Sequence, residues 1–173
     1  VITPRGTVLA TVFRTPNPER QPITGPIRFS SFVLRSEDRG KNWQAIPLAL
    51  AAGPHTFDET AILQFPSGRI LAMIRHNNSA DPSDRYLYAS HSDDDGRTWS
   101  PARKTGVWGY PADLTLLQSG KLLCTLGYRR DPWGARAVLS HDGGQTWDVE
   151  HTKIITDSSL PGWTTYPMSV QLE

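Results

Sequence analysis

Three observations predict an all-β fold of repeated four-stranded antiparallel units. The pattern Ser-x-Asp-x-Gly-x-x-Trp occurs three times, at 36–43, 92–99 and 140–147. A Gly-centred turn between two apolar runs recurs in phase with it, at Gly6, Gly68 and Gly120. Apolar residues otherwise alternate or come in short runs punctuated by 14 Gly and 14 Pro, and no i, i+3, i+4 stripe of useful length interrupts them. The spacing of boxes and hairpins suits the blades of a β-propeller, each of four strands.

Each element follows from its residues. An Asp followed two positions later by Gly favours a tight turn, because the carboxylate can accept backbone N–H bonds and Gly takes positive φ without strain. The Thr-Trp that ends the box is expected to begin a strand, with the Trp packing between neighbouring repeats. These residues are committed to the turn and leave no chemistry to it. The segments Pro4–Leu9, Pro66–Leu71 and Gln118–Leu123 read as hairpins. In the middle unit the strands are expected at 60–65, 69–76, 85–91 and 98–103.

The units span about 1–50, 58–105 and 110–157, within a single partial domain of 173 residues. A further unit opens at 164–173, where Tyr166-Pro167 repeats the Tyr110-Pro111 that opens the third. Three blades and one strand cannot close a ring, and open sheet edges invite pairing. The expectation is therefore a piece of a larger, six-bladed chain, or self-association of copies to complete it.

Composition narrows the function classes. With 38% hydrophobic and 20% charged residues the chain is too apolar for disorder, and a net charge of +1 from scattered basic residues argues against nucleic-acid or membrane-surface binding. Cys124, alone of its kind, lies in an apolar strand and excludes an internal disulfide. The five His are not at ligand spacing, so the sequence implies neither a metal nor a cofactor. No apolar stretch is long enough to span a membrane and no secretory pattern opens the chain. The first residue is not Met, which suggests that the native N-terminus lies further upstream, and localisation is open, secreted or periplasmic sites included.

The boxes resemble the Asp box of the sialidase (neuraminidase) superfamily, in which it joins the third and fourth strands of a blade. The resemblance extends over nearly the whole chain, as interior and C-terminal blades. The stretch 57–75 looks like the blade that carries the catalytic Glu and, after its hairpin, one Arg of the carboxylate-binding triad; these fall on Glu59 and Arg75. Arg136, just ahead of the third box, matches another triad Arg, and Tyr166 takes the place of the nucleophilic Tyr. Asp113 and His76-Asn77-Asn78 are further candidates to line the same face. The sequence departs from the family in one respect. The Arg-Ile-Pro motif of the first blade, and the general-acid Asp that follows it, are not visible, so the chain by itself holds part of a site and is expected to be inactive alone.

The resemblance implies a retaining, metal-independent exo-glycoside hydrolase acting on sialic acid or a related acidic sugar. A sialoside carries a carboxylate on its anomeric carbon, so a neutral Tyr nucleophile avoids the repulsion that a carboxylate would meet. Tyr, with a pKa near 10, needs a base beside it, and Glu59 fits that role for Tyr166. Arg75 and Arg136 would supply planar, permanently charged donors to the sugar carboxylate. Two other readings fit the same sequence: a non-catalytic propeller that binds carbohydrate or protein, and a glycosidase or lyase for a different sugar.

Overall fold

The computed structural model describes residues 1–15, 27–158 and 166–172, and within them eleven strands form three antiparallel sheets. The first sheet has the order β1 (Val8–Arg14), β2 (Ser30–Ser36), β3 (Gln44–Ala49). The second runs β4 (His55–Gln64), β5 (Ile70–Asn78), β6 (Tyr86–Ser92), β7 (Arg103–Trp108). The third runs β8 (Tyr110–Leu116), β9 (Leu122–Tyr128), β10 (Trp133–Ser140), β11 (Lys153–Ser158). In the first sheet residues 1–3 stand where a fourth strand was expected: Val1 exchanges backbone hydrogen bonds of 2.9 and 2.8 Å with Leu9, Ile2 pairs with Val8, and the Thr3 amide donates to the Thr7 carbonyl at 2.9 Å.

The sheets lie side by side along the chain. β1 packs against β4, and β4 against β8. The segment 166–172 continues the series along β8: the Ser169 amide donates to Asp113 Oδ2 at 2.8 Å and the Gln118 amide to Gln171 Oε1 at 2.8 Å. Of the expected opening of a further unit, residues 164, 165 and 173 lie outside the described residues.

The apolar runs of the sequence become the contacts between sheets. Along β5 every residue from Ile70 to Ile74 is buried, because the strand is covered on both faces. Its period of two sends Ile70, Ala72 and Ile74 toward Leu9, Val33, Leu48 and Phe57, and Met73 toward Leu87, Val107, Cys124, Leu126 and Val138. Cys124 is fully buried, as its apolar strand implied, and burial pushes its thiol pKa up.

All three boxes have the same internal geometry. The Ser hydroxyl donates to the Asp carboxylate at 2.8 Å and accepts the Gly amide at 2.8, 2.9 and 2.8 Å. The Asp in turn accepts the backbone N–H of Asn42, Thr98 or Thr146 at 2.9 Å. These bonds, together with the side-chain bond from Asn42, hold Asp38 down to about 2. The second and third boxes also lock onto the sheet before them, whereas Gly40 of the first meets only Trp43 of its own box. A Cβ on Gly96 would lie 3.0 Å from Leu9, and one on Gly144 would lie 2.6 Å from Leu71. Asp95 adds a buried link to the first sheet, accepting Thr7 Oγ1 at 2.5 Å and Arg35 Nη2 at 3.2 Å.

Three details differ from the expectation. The first strand of the second sheet, expected from 60, already begins at His55. The fourth strand of the second sheet begins at Arg103 rather than Thr98, because Asp94 still holds the Thr98 amide and hydroxyl in the turn. The same delay puts Lys153 at the start of β11, six residues after Trp147. Trp99 and Trp147 pack against the two cores, whereas Trp43 is 44% exposed and bonds only to the Gly40 carbonyl of its own box.

Gly144 and Gly120 separate backbone strain from packing, since both have positive φ but only Gly144 has a close neighbour. Gly120→Ala is expected to cost about 1 kcal/mol from φ alone, and Gly144→Ala about 1–3 kcal/mol more from the clash with Leu71. Urea unfolding of the two variants beside wild type measures the difference, and equal losses would refute the inter-sheet role of the box.

Candidate functional site

Register places the candidate residues at the end of the sheets opposite the boxes. Ile70 pairs with Ser92 at the box end, while His76 and Asn77 pair with Phe57 and Thr56 at the other. There β4 carries a bulge: Phe57 faces His76 and Thr60 faces Ile74, so Asp58 and Glu59 together oppose Arg75. A bulge inserts one residue and re-aims its neighbours, which brings two adjacent carboxylates toward one guanidinium. β8 has a matching irregularity at Pro111, between Tyr110 and Ala112. The bulge suits a proline, which has no N–H to give to the ladder.

Glu59 is the hub. Arg75 Nη1 donates to both of its oxygens at 2.9 Å, and Tyr166 Oη donates to Oε1 at 2.7 Å across 107 residues of sequence. Burial opposes the Glu59 charge, but the Tyr166 hydrogen bond, its own backbone amide and Arg75 outweigh it and hold the carboxyl below its ordinary value. The converse holds for Tyr166, whose phenol is pushed up because its proton is already shared with an anion. Asp58 is more deeply set, accepting Asn77 Nδ2 at 3.0 Å with Arg75 Nε 3.5 Å away. Burial pushes it up to about 7 despite Arg75. Near neutral pH an ionised Glu59 thus lies beside a neutral Tyr166, while Asp58 holds its proton in more acidic solution.

Tyr110, 1% exposed at the start of β8, organises the cations. The guanidinium of Arg75 lies 4.6 Å from its ring centroid, that of Arg129 4.8 Å and that of Arg85 5.8 Å, and Arg85 also donates to the Tyr110 hydroxyl. A ring face attracts guanidinium at this range, which lets like charges gather in one place. The Nε atoms of all three are buried without a hydrogen-bond partner among the described residues. Such a cluster can attract and orient a carboxylate or another oxyanion.

Family membership is decided by a domain model, that of the BNR repeat-like domain, which matches residues 6–172. The chain belongs to the BNR repeat-like domain family. Among solved structures this BNR chain is similar to a protein of unknown function from Dyadobacter fermentans DSM 18053, at 26% identity and a TM-score of 0.66 over 80% of this chain and 35% of that one. It also shares its fold with the intramolecular trans-sialidase of Ruminococcus gnavus in complex with oseltamivir carboxylate, at 15% identity and a TM-score of 0.51 over 80% and 32% of the two chains. The family model supports the BNR-repeat reading of the boxes, and the trans-sialidase match shows a shared fold. The BNR chain thus spans about a third of the length of each of these structures. Among curated proteins no match is found.

Of the residues expected from sequence, the BNR fold brings Glu59, Arg75 and Tyr166 together and does not bring Arg136 to them. Arg136 is 5% exposed and turned into the gap between the second and third sheets. Its donors are taken by the carbonyls of Pro132 at 2.7 Å and Thr156 at 3.0 Å, and by Asp157 at 3.0 Å. The third-sheet arginine beside the cluster is Arg129. When the hairpin glycines Gly68 and Gly120 are aligned, Arg129 falls two residues beyond the place that matches Arg75, just past the end of β9. Asp113 is engaged by the Ser169 amide and hydroxyl, and Asn77 by Asp58.

Two titrations test this geometry. Replacing Glu59 by Gln removes the anion that holds the Tyr166 proton, so the Tyr166 pKa should fall; the ultraviolet difference titration of the variant against wild type reads it, and an unchanged curve would break the pair. Folded Asp58 keeps its proton up to about 7 while the unfolded chain loses it near the ordinary carboxylate value. The folded state then binds more protons than the unfolded state across that window, so this contribution to stability is full below it and is lost as pH rises through it. Asp58→Asn should therefore gain stability relative to wild type between about pH 5 and about pH 8 in urea unfolding.

Proposed function

We propose that the three sheets are blades of a sialidase-like β-propeller and that the protein carrying this chain is a retaining exo-glycoside hydrolase. Its substrate would be a terminal sialic acid or related acidic sugar. The observation that carries this reading is the 2.7 Å hydrogen bond from the Tyr166 hydroxyl to Glu59, beside a cluster of three arginines. Further support comes from the fold shared with a trans-sialidase in complex with oseltamivir carboxylate.

In this reading Tyr166 Oη bonds to the anomeric carbon as the glycosidic C–O bond breaks, and its proton passes to Glu59 Oε1. The departing oxygen takes a proton from the general acid that this family carries in its first blade. Water then attacks the anomeric carbon and gives its proton to the general acid, now deprotonated, while the Tyr–carbon bond breaks and Glu59 returns the first proton to Tyr166 Oη, which gives net retention. The lowered Glu59 pKa keeps the base ionised before reaction, and Tyr166, 60% exposed, is open to a substrate. Arg75 and Arg129 would hold the sugar carboxylate; among the described residues Arg75 donates to Glu59 through Nη1 only, which leaves Nη2 for it. Arg136 has no direct role in this scheme because its donors are committed to the backbone and Asp157.

Release of the fluorophore from a fluorogenic α-sialoside by the full-length protein tests the proposal. Tyr166→Phe and Glu59→Ala should each lower kcat by at least about a hundredfold, while Arg129→Ala should act mainly on KM. Absence of turnover by folded wild type would move the reading to a binding propeller or a different acidic sugar.

A further inference from the structure

On the opposite face of β5 from Arg75 lies a second group of chemically capable side chains. His76 is 0% exposed and packs between Phe57 and Tyr88, with ring centroids 5.2 and 4.7 Å away. Its Nε2 lies 2.9 Å from Nδ1 of His55, at the start of β4, and its Nδ1 has no partner among the described residues. Asp84, in the loop before β6, completes the group: one donor atom from each of His55, His76 and Asp84 lies within 4.8 Å of the others. We propose that these three residues form a binding site for a divalent transition-metal ion, with zinc the ion that fits best.

The chemistry of the donors selects the ion. Two neutral imidazoles and one carboxylate suit zinc and its neighbours, whereas calcium and magnesium demand an all-oxygen shell. Three protein ligands leave a fourth position for water. Tetrahedral zinc with Zn–N of about 2.0–2.1 Å needs ligand nitrogens roughly 3.3 Å apart, so the imidazoles would open by a few tenths of an ångström and Asp84 would turn inward. The carboxylate already has an outer partner in Asn78 Nδ2, 3.2 Å from Asp84 Oδ2. An outer partner of this kind orients a ligating carboxylate. Lys104 plays a different part. Its side chain is 46% exposed and holds Asp84 Oδ1 as an ion pair, so it is the cation that an incoming metal must displace. The ligands come from the start of β4, the far end of β5 and the next loop, so the ion would clamp together the two strands that carry Glu59 and Arg75. Their sequence spacing, 55, 76 and 84, matches no ligand motif; strand register, not local pattern, brings them together.

The test is titration of Co2+ into the metal-free protein, read by the visible absorption of four-coordinate cobalt and by competition with Zn2+. One equivalent should bind, and His55→Gln and Asp84→Asn, which keep side-chain size at partly exposed positions, should each weaken binding at least about tenfold. Lys104→Met should bind more tightly than wild type, because the competing ammonium is gone and the ligands are intact. That variant separates loss of a ligand from loss of the fold, which circular dichroism checks in all three. No binding by folded wild type would overturn the site. So would equal affinity in His55→Gln, which would assign the metal to His residues elsewhere.

Discussion

The seat of the second and third Asp-box glycines on leucines of the preceding sheets is the constraint on which the rest of the structure depends. Within a box the Ser hydroxyl, the Asp carboxylate and the Gly amide satisfy one another, so the turn has one shape wherever it occurs. Gly96 and Gly144 then approach Leu9 and Leu71 so closely that a Cβ would lie 3.0 and 2.6 Å from them. Regular turns set against regular neighbours give regular spacing between sheets. The candidate site lies at the far end of those sheets and inherits that spacing, since its residues come from the second sheet, the third sheet and the segment beyond.

The site itself is held by charge sharing rather than by isolated pairs. Three guanidiniums around one buried ring would repel one another in open water; here the Tyr110 face and the Glu59 and Asp58 carboxyls offset that repulsion. The two adjacent carboxyls divide the work: Glu59 stays ionised, while burial raises the pKa of Asp58. The β4 bulge makes this possible, because in a regular ladder two successive side chains would point to opposite faces.

Much of this was legible in the sequence, and the failures share a cause. The boxes, the hairpin glycines, Glu59, Arg75 and Tyr166 could be read because each is tied to a local pattern with a fixed place in the repeat. Arg136 was read from the same logic, but alternation along β10 turns it into the gap between sheets, where backbone carbonyls hold it. Arg129, Tyr110 and Arg85 carried no motif of their own. Arg129 could have been found by aligning the hairpin glycines, but nothing short of the three-dimensional register would pick out Tyr110. The same holds for His55, His76 and Asp84. The late start of β7 has a local reason that propensity hides: a Thr-Trp pair that looks like strand is still held by the Asp two turns of hydrogen bonding earlier.

The difference in sequence separation between the boxes and the site carries a consequence for how the molecule forms. Box hydrogen bonds close over four residues or fewer, so each turn can assemble as soon as its own segment exists. The bond from Tyr166 to Glu59 closes over 107 residues and needs the second and third sheets in place. Loop-closure entropy for such a contact is met only after the local ones have formed, so the hairpins and boxes come first in time and the joined Tyr–Glu pair comes last. An early intermediate would therefore have most of the native sheet content and no assembled site.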